Sequence, residues 1–294
     1  MNNLKKVILV TGASSGIGLR TSELLAKNNF NIIASMRDIN GKNSDKAEEL
    51  NKLGADISVI ELDVSSCSSV EKAIKAIIKK YDCIDVVINN AGIMNVGLAE
   101  GFTIKQLEKQ MNVNYIGVAR LFRETLPYMR KRKKGLFVTI SSIAGRIVFP
   151  FLSTYNPSKF AVEALAEIYR YELSPFKIDS IIIEPGPFAT DLVKNSPRPE
   201  NVDVLKDYGT LASAADQTIQ HFKQFVKNNP ECDPSLVSEK ILELINTEYG
   251  KRPLRTTCGV DYGVSEVNKI TEKYQFEILK QMDLEDLIPK KESG

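Results

Sequence analysis

The chain has 294 residues, 43% hydrophobic and 26% charged, which is ample for a well-filled globular core. Its 39 basic and 37 acidic side chains nearly cancel, leaving +2, so no field makes nucleic acid the main partner. No stretch is long and apolar enough to span a bilayer. Cys67, Cys83, Cys232 and Cys258 lack C-x-x-C spacing, which argues for reduced, mostly buried thiols over a zinc site or redox pair.

The start, Met1 to Lys6, is basic, but the apolar run Val7 to Val10 is too short for a signal-peptide core and ends in a glycine turn. It reads as a buried strand, and a cytoplasmic location is expected. Ile17 to Lys27 reads as a helix with Leu24 and Leu25 inward, and Asn31 to Ser35 as a second strand. Ser44 to Leu53 is helical, Ile57 to Leu62 a strand, Val70 to Lys80 a helix and Ile84 to Ile88 a strand. One long helix is expected over Ile104 to Met129, its end solvated by the basic run Met129 to Lys134. A strand over Leu136 to Ile140, a helix over Lys159 to Leu173 and a strand over Ile178 to Ile183 continue the alternation.

After Pro185 the rhythm breaks. Pro185, Pro187, Pro197 and Pro199 rule out regular structure early, and Asp203 to Phe225 can hold helices. Leu236 to Ile245 is helical, Leu254 to Cys258 a last strand, and Glu266 to Leu284 a polar helix. Strands alternating with helices give an α/β fold, a doubly wound parallel sheet with helices on both faces. One domain over residues 1–294 is expected. It divides into a part over about 1–192, an inserted loop over about 187–234 and C-terminal helices with the last strand over about 235–290.

The stretch Val10-Thr11-Gly12-Ala13-Ser14-Ser15-Gly16-Ile17-Gly18 admits two readings. Gly12-Ala13-Ser14-Ser15-Gly16 fits the G-x-S-x-G elbow of a serine nucleophile. That chemistry needs a histidine base. The chain has one, His221, in a polar segment of the insertion. A P-loop is excluded, because no Gly-Lys-Ser or Gly-Lys-Thr follows. A cradle for a diphosphate needs a strand before, a helix after and small residues between, and all three are here.

The spacing Gly12-x-x-x-Gly16-x-Gly18 resembles that of the single-domain short-chain dehydrogenases/reductases, and further stretches agree in order. Asn89-Asn90-Ala91-Gly92 follows the fourth strand, and Asn112-Val113-Asn114-Tyr115-Ile116-Gly117 lies in the next helix. Tyr155-Asn156-Pro157-Ser158-Lys159 matches Y-x-x-x-K, with Ser142 thirteen residues earlier. Pro185-Gly186, with Thr190 behind it, closes the set, and the resemblance covers roughly residues 5–192. It implies a Rossmann fold, a nicotinamide cofactor and hydride transfer between a carbonyl and an alcohol. The strand end Ser35-Met36-Arg37-Asp38 and the long tail resemble the hydroxysteroid and retinol dehydrogenase-like branch.

Hydride transfer leaves charge on a carbonyl oxygen, where a proton must arrive. A phenol titrates near 10 in water, and a nearby cation lowers that value. Tyr155 and Lys159 are four apart and share a helix face, with Pro157 tolerated in the first turn. By resemblance Tyr155 is the general acid and base, and Lys159 holds the nicotinamide ribose and tunes Tyr155. Ser142 bonds the carbonyl oxygen, and Asn114 anchors a water leading from Lys159 to solvent. Ser141, one residue nearer the strand, is expected to face the other way. The cofactor contacts implied are Gly12, Ser14, Ser15, Gly16, Ile17, Gly18, Arg37, Asp63, Val64, Asn90, Ala91, Gly92, Tyr155, Lys159, Pro185, Gly186 and Thr190.

An acid at the end of the second strand binds the adenosine ribose hydroxyls, whereas an arginine accepts a 2′-phosphate. By resemblance position 36 carries that acid. Met36 cannot serve, and Arg37 is placed for phosphate, so NADP(H) is expected over NAD(H). Asp38 either pairs with Arg37 or caps the next segment. Asp63 either contacts the adenine or caps the next helix, a task open to Ser65 or Ser66. Thr190 meets the carboxamide or a phosphate.

The candidate substrate walls, Met94, Val96, Ile143, Val148, Phe149, Phe151, Leu152, Phe188 and Leu192, are apolar, which points to a hydrophobic ketone or secondary alcohol. The insertion reads as a lid over that site. The family commonly pairs the helix of Asn114 and that of Lys159 between subunits, so a homo-oligomer is expected, with no nucleic-acid or membrane partner and no metal. The rival reading is a non-catalytic nucleotide sensor or scaffold. Loss of the serine, tyrosine or lysine would mark it, and all are present.

Overall fold

The computed structural model describes residues 5–290, so the first four residues of the basic start lie outside it. Seven strands form one parallel sheet in the order β3-β2-β1-β4-β5-β6-β7. They are β1 (Val7–Thr11), β2 (Asn31–Met36), β3 (Ile57–Glu61), β4 (Val86–Asn89), β5 (Gly135–Ile140), β6 (Ile178–Pro185) and β7 (Arg255–Cys258). Alternate side chains feed two cores. Ile8, Val10, Ile32, Ile88, Val138 and Ile183 pack beneath α1 (Gly16–Ala26), α2 (Ser44–Asn51) and α9 (Ser235–Asn246). Val7, Leu9, Ile33, Val87 and Phe137 pack against α3 (Cys67–Tyr81), α5 (Gly117–Arg132) and α6 (Tyr155–Glu172). With both faces covered, the strands read as continuous apolar runs.

The chain runs outward from β1 to β3, then returns across to β4 on the other side of β1. That reversal opens a crevice at the carboxyl ends of β1 and β4, where sheets of this kind bind ligands.

The expected long helix is interrupted. α4 (Ile104–Met111) and α5 are joined by a π-helical turn, Asn112–Ile116, which holds Asn114. One extra residue slips the apolar phase by about 100°, a slip that is concealed when two short helical stretches are read as one helix. The basic run does end a helix: Lys133 adopts a left-handed cap and Arg132 pairs with Asp85 at 2.8 Å. On α1, Leu25 is buried but Leu24 only half-buried; Thr21 and Ser22 complete the inner face, with Thr21 hydrogen-bonded to Ser238 of α9. Cys232 and Cys258 are buried, Cys83 is half-buried and Cys67 is exposed, where its sulfur accepts a bond from Arg120. Among the described residues no helix is long and apolar enough to cross a membrane. None of their His, Cys, Asp or Glu side chains cluster as a metal site.

The insertion is ordered as α7 (Asp191–Lys194), a short turn at Val204–Tyr208 and α8 (Leu211–Asn228). Its early part zips onto the loop after β4: Val96 N–H donates to Pro197, Gln106 donates to the Arg198 carbonyl, and Asn201 N–H donates to Gly101. α10 (Val264–Gln281) follows β7.

Candidate active site

At the crevice, Gly12 and Gly16 take left-handed backbone angles of +69° and +55° that disfavour a Cβ. A Cβ on Gly12 would stand 2.8 Å from the Ala91 Cα, and one on Gly18 would stand 2.4 Å from the Asn90 amide nitrogen. Asn90 closes the turn by donating to the carbonyls of Thr11 and Gly12, while its own N–H and that of Ala91 donate to the Thr11 hydroxyl. α1 therefore starts directly behind a turn with no side-chain bulk, its N-cap Ser15 making no side-chain cap bond. Thr190 lies against Gly16, within 3.3 Å of where a Cβ would be, and Gly186 packs so tightly on the Val260 carbonyl that no side chain fits. This is a fitting mould for a diphosphate at a helix N-terminus. Ser14 carries no histidine partner: His221 is exposed on α8.

At the end of β2, Met36 turns into the core and Arg37 stands exposed. Of the two readings of Asp38, the cap is what the structure shows: its carboxylate accepts the Lys42 N–H at 2.8 Å. Asp63 folds back on Ser65, accepting from its N–H and hydroxyl, and Ser66 is the N-cap of α3. Val64 packs into the core against Gly117, with its carbonyl held by Arg120.

Deeper in the crevice, α6 begins at Tyr155, four residues before the expected start, because Pro157 fits its first turn. Tyr155 and Lys159 are 6% and 7% exposed. Ser142, at the end of β5, hydrogen-bonds the Tyr155 phenol and accepts the Ala144 N–H at 3.1 Å. Lys159 Nζ donates to the Ile140 carbonyl at 2.8 Å and lies 5.6 Å from the Tyr155 ring centre. Asn114 donates to the Ile93 carbonyl and the Ser158 hydroxyl and accepts the Ile93 N–H. Its amide nitrogen thus ties the π turn both to the loop after β4 and to α6.

The electrostatics depart from expectation. Burial pushes the Tyr155 phenol up to about 12, with the Ser142 hydrogen bond opposing. Burial pulls Lys159 down to about 8, with Glu163 opposing. The Lys159 amine is engaged at the Ile140 carbonyl, and desolvation of the phenolate is the largest influence on Tyr155.

Above Tyr155 lies an apolar cluster of Met94, Val96, Ala144, Ile219, Phe149, Phe151, Leu152, Leu192 and Val193. Six of these were expected as substrate walls. Phe151 holds a backbone φ of +67°, strained for an aromatic residue, and its carbonyl accepts the Gly97 N–H. Three expected walls fall elsewhere. Val148 is 74% exposed at the crest of its loop, while Phe149 is turned inward by the Asn156 bond to its N–H. Phe188 packs in the sheet core, in the space that Gly259 leaves without a Cβ. Ile143 is buried in the short turn after Ser142, outside the cluster. Sequence reasoning missed Ile219; its signal was the apolar i, i+4 spacing of Ala215 and Ile219, the buried residues of α8.

A doubly wound sheet, a glycine cradle at its switch point and a buried serine, tyrosine and lysine beyond it define a class of nicotinamide-dependent oxidoreductases. The family model for short chain dehydrogenase matches residues 6–201, and the chain belongs to that family. It is 32% identical over 255 residues to 3-ketodihydrosphingosine reductase of Bacteroides thetaiotaomicron, covering 86% of this chain and 88% of that one. It is 35% identical over 189 residues to retinol dehydrogenase 8 of Homo sapiens, covering 63% and 60%. Among solved structures, a short-chain dehydrogenase from Streptomyces avermitilis superposes with a TM-score of 0.76 at 28% identity, covering 95% and 98%. The protein is thus an oxidoreductase of a family that acts on CH–OH and C=O groups with nicotinamide cofactors.

Proposed function

We propose that the protein is an NADP(H)-dependent oxidoreductase that interconverts an apolar ketone or aldehyde and its alcohol, with Tyr155 as general acid and base. The observation that carries this reading is a single buried phenol, hydrogen-bonded to Ser142 and roofed by an apolar cluster. Gly12, Ser14, Ser15, Gly16, Ile17 and Gly18 would hold the diphosphate, Arg37 the 2′-phosphate, Asp63 and Val64 the adenine side, and Asn90, Ala91 and Gly92 the ribose side. Pro185, Gly186 and Thr190 would flank the nicotinamide. When bound, the reduced cofactor supplies the hydride.

Tyr155 then gives its phenolic proton to the carbonyl oxygen, which Ser142 holds in place. Burial keeps the phenol protonated but weakens it as an acid, so donation calls on the Lys159 ammonium one turn on to stabilise the phenolate left behind. In the reverse direction the phenolate takes the alcohol proton. The apolar roof excludes water from the hydride path. The water expected at Asn114 would rest on its backbone, since its side chain is committed. The similarity to a 3-ketodihydrosphingosine reductase and to retinol dehydrogenase 8 supports a large apolar substrate. A homo-oligomer in the cytoplasm remains the expected assembly and setting. The test is a panel of carbonyl compounds incubated with NADPH and followed by the cofactor's absorbance. Steady consumption with long-chain or polycyclic ketones is expected; none with any carbonyl would refute the reading.

A further inference from the structure

Tyr155, Lys159 and Glu163 follow one another at four-residue steps along α6, and all three are buried, Glu163 at 2% exposure. A glutamate in that position is costly unless charges answer it. Arg255 of β7 answers it: its Nε lies 2.9 Å from Glu163 Oε2 and 3.6 Å from Glu184 of β6, and its other end binds Glu167 of α6. Arg146, from the turn after Ser142, reaches Asn268 of α10 at 2.8 Å and stands 4.0 Å from Glu184, which accepts a bond from Asn268. Ser141, the residue after β5, completes the surroundings, so it faces Glu163 and not the crevice.

The buried cluster sets three carboxyl groups against two guanidiniums. Burial and the Glu163 charge push Glu184 up to about 8, while burial raises Glu163 and Arg255 opposes that rise. Glu163 Oε1 is buried and has no hydrogen-bond partner among the described residues. The turn bearing Ser142 also rests on this pair. A Cβ on Gly145 would stand 2.9 Å from Glu163 Cγ and 3.2 Å from the Lys159 carbonyl.

We propose that Glu163 is a positioning residue for Lys159: clamped by Arg255, its carboxylate is the fixed counter-charge that keeps Lys159 an ammonium beside Tyr155. Burial pulls Lys159 down to about 8, and Glu163 is the group that opposes that fall. The proposal builds on the reading of Tyr155 and Lys159 given above.

The test is an NMR titration of lysine-labelled protein, with the Lys159 Nζ and Cε signals assigned by their loss in Lys159→Met. Glu163→Gln keeps shape and removes charge; the Lys159 midpoint should fall by about one pH unit. Glu163→Asp, which keeps a carboxylate, should restore most of it. An unchanged midpoint in a folded Glu163→Gln protein overturns the proposal. Coupling is reciprocal, so Lys159→Met should raise the midpoint of labelled Glu163 by a similar amount. That arm disturbs none of the Arg255 bonds and decides the matter even if Glu163→Gln does not fold; no rise there is equally fatal. Neither arm needs turnover, so failure to find a carbonyl substrate leaves this test intact. Where a ketone is turned over with NADPH, the alkaline limb of kcat in Glu163→Gln should move down with the Lys159 midpoint.

Discussion

Tyr155 and Lys159 are displaced in opposite directions by the same burial, the phenol up to about 12 and the amine down to about 8. Both shifts favour the uncharged form, so Tyr155 holds its proton tightly. The Tyr155 shift has a consequence for stability. A group whose folded pKa exceeds its unfolded value of about 10 adds stability below pH 10 and loses it as pH climbs toward 12. Tyr155→Phe has no such loss. Urea melts across that window should show the variant gaining on wild type by up to about 3 kcal/mol; parallel curves would mean that the phenol ionises freely. Arg37 is a simpler case. It is exposed at the end of β2 and Asp38 is engaged elsewhere, so the guanidinium is open to a phosphate. Arg37→Ala should weaken NADPH by about 1.5–3 kcal/mol and leave NADH nearly unchanged, read by fluorescence titration of both cofactors. Equal losses for the two would remove the basis for NADP(H) preference.

At the scale of elements, the insertion borders the apolar cluster over Tyr155. α8 reaches the roof through Ile219, and the segment before it is pinned to the loop after β4 by Pro197, Arg198 and Asn201. Arg198 also pairs with Asp216 on α8. We expect α8 to exchange its amide hydrogens quickly in the free protein and with NADP+ alone, and to gain protection when an apolar ketone fills the site. Uniform exchange in all three states would show that α8 is not a lid. Much of this architecture was legible in advance. Apolar runs such as Ile178 to Ile183 and amphipathic stretches such as Val70 to Lys80 carry their own period, and the cradle, Ser142, Tyr155 and Lys159 carry fixed spacings. What escaped depends on tertiary contact. The π turn at Asn114 is stabilised by Ile93 and Ser158, far away in sequence. Val148 and Phe149 are neighbours that loop geometry alone sends to opposite sides. Thr21 reads as polar until Ser238 meets it across the α1–α9 contact.

For the molecule as a whole, the reversal of strand order at β1 and β4 sets every distance that matters. It brings the cradle of residues 12–18, Asn90 beside it, and the ends of β5 and β6 to one edge of the sheet. α6 runs from Tyr155 through Lys159 to Glu163 behind that edge, and the insertion covers it. In the function proposed above, this assembly transfers a hydride with Tyr155 as its proton donor. The most direct measurement compares wild type and Tyr155→Phe with NADPH and a ketone found active in the panel, recording cofactor binding and single-turnover reduction on the same samples. Loss of one hydroxyl should leave the fold and NADPH affinity unchanged and slow reduction by about a hundredfold or more. Reduction at the wild-type rate in Tyr155→Phe, with NADPH bound equally well, would contradict the account.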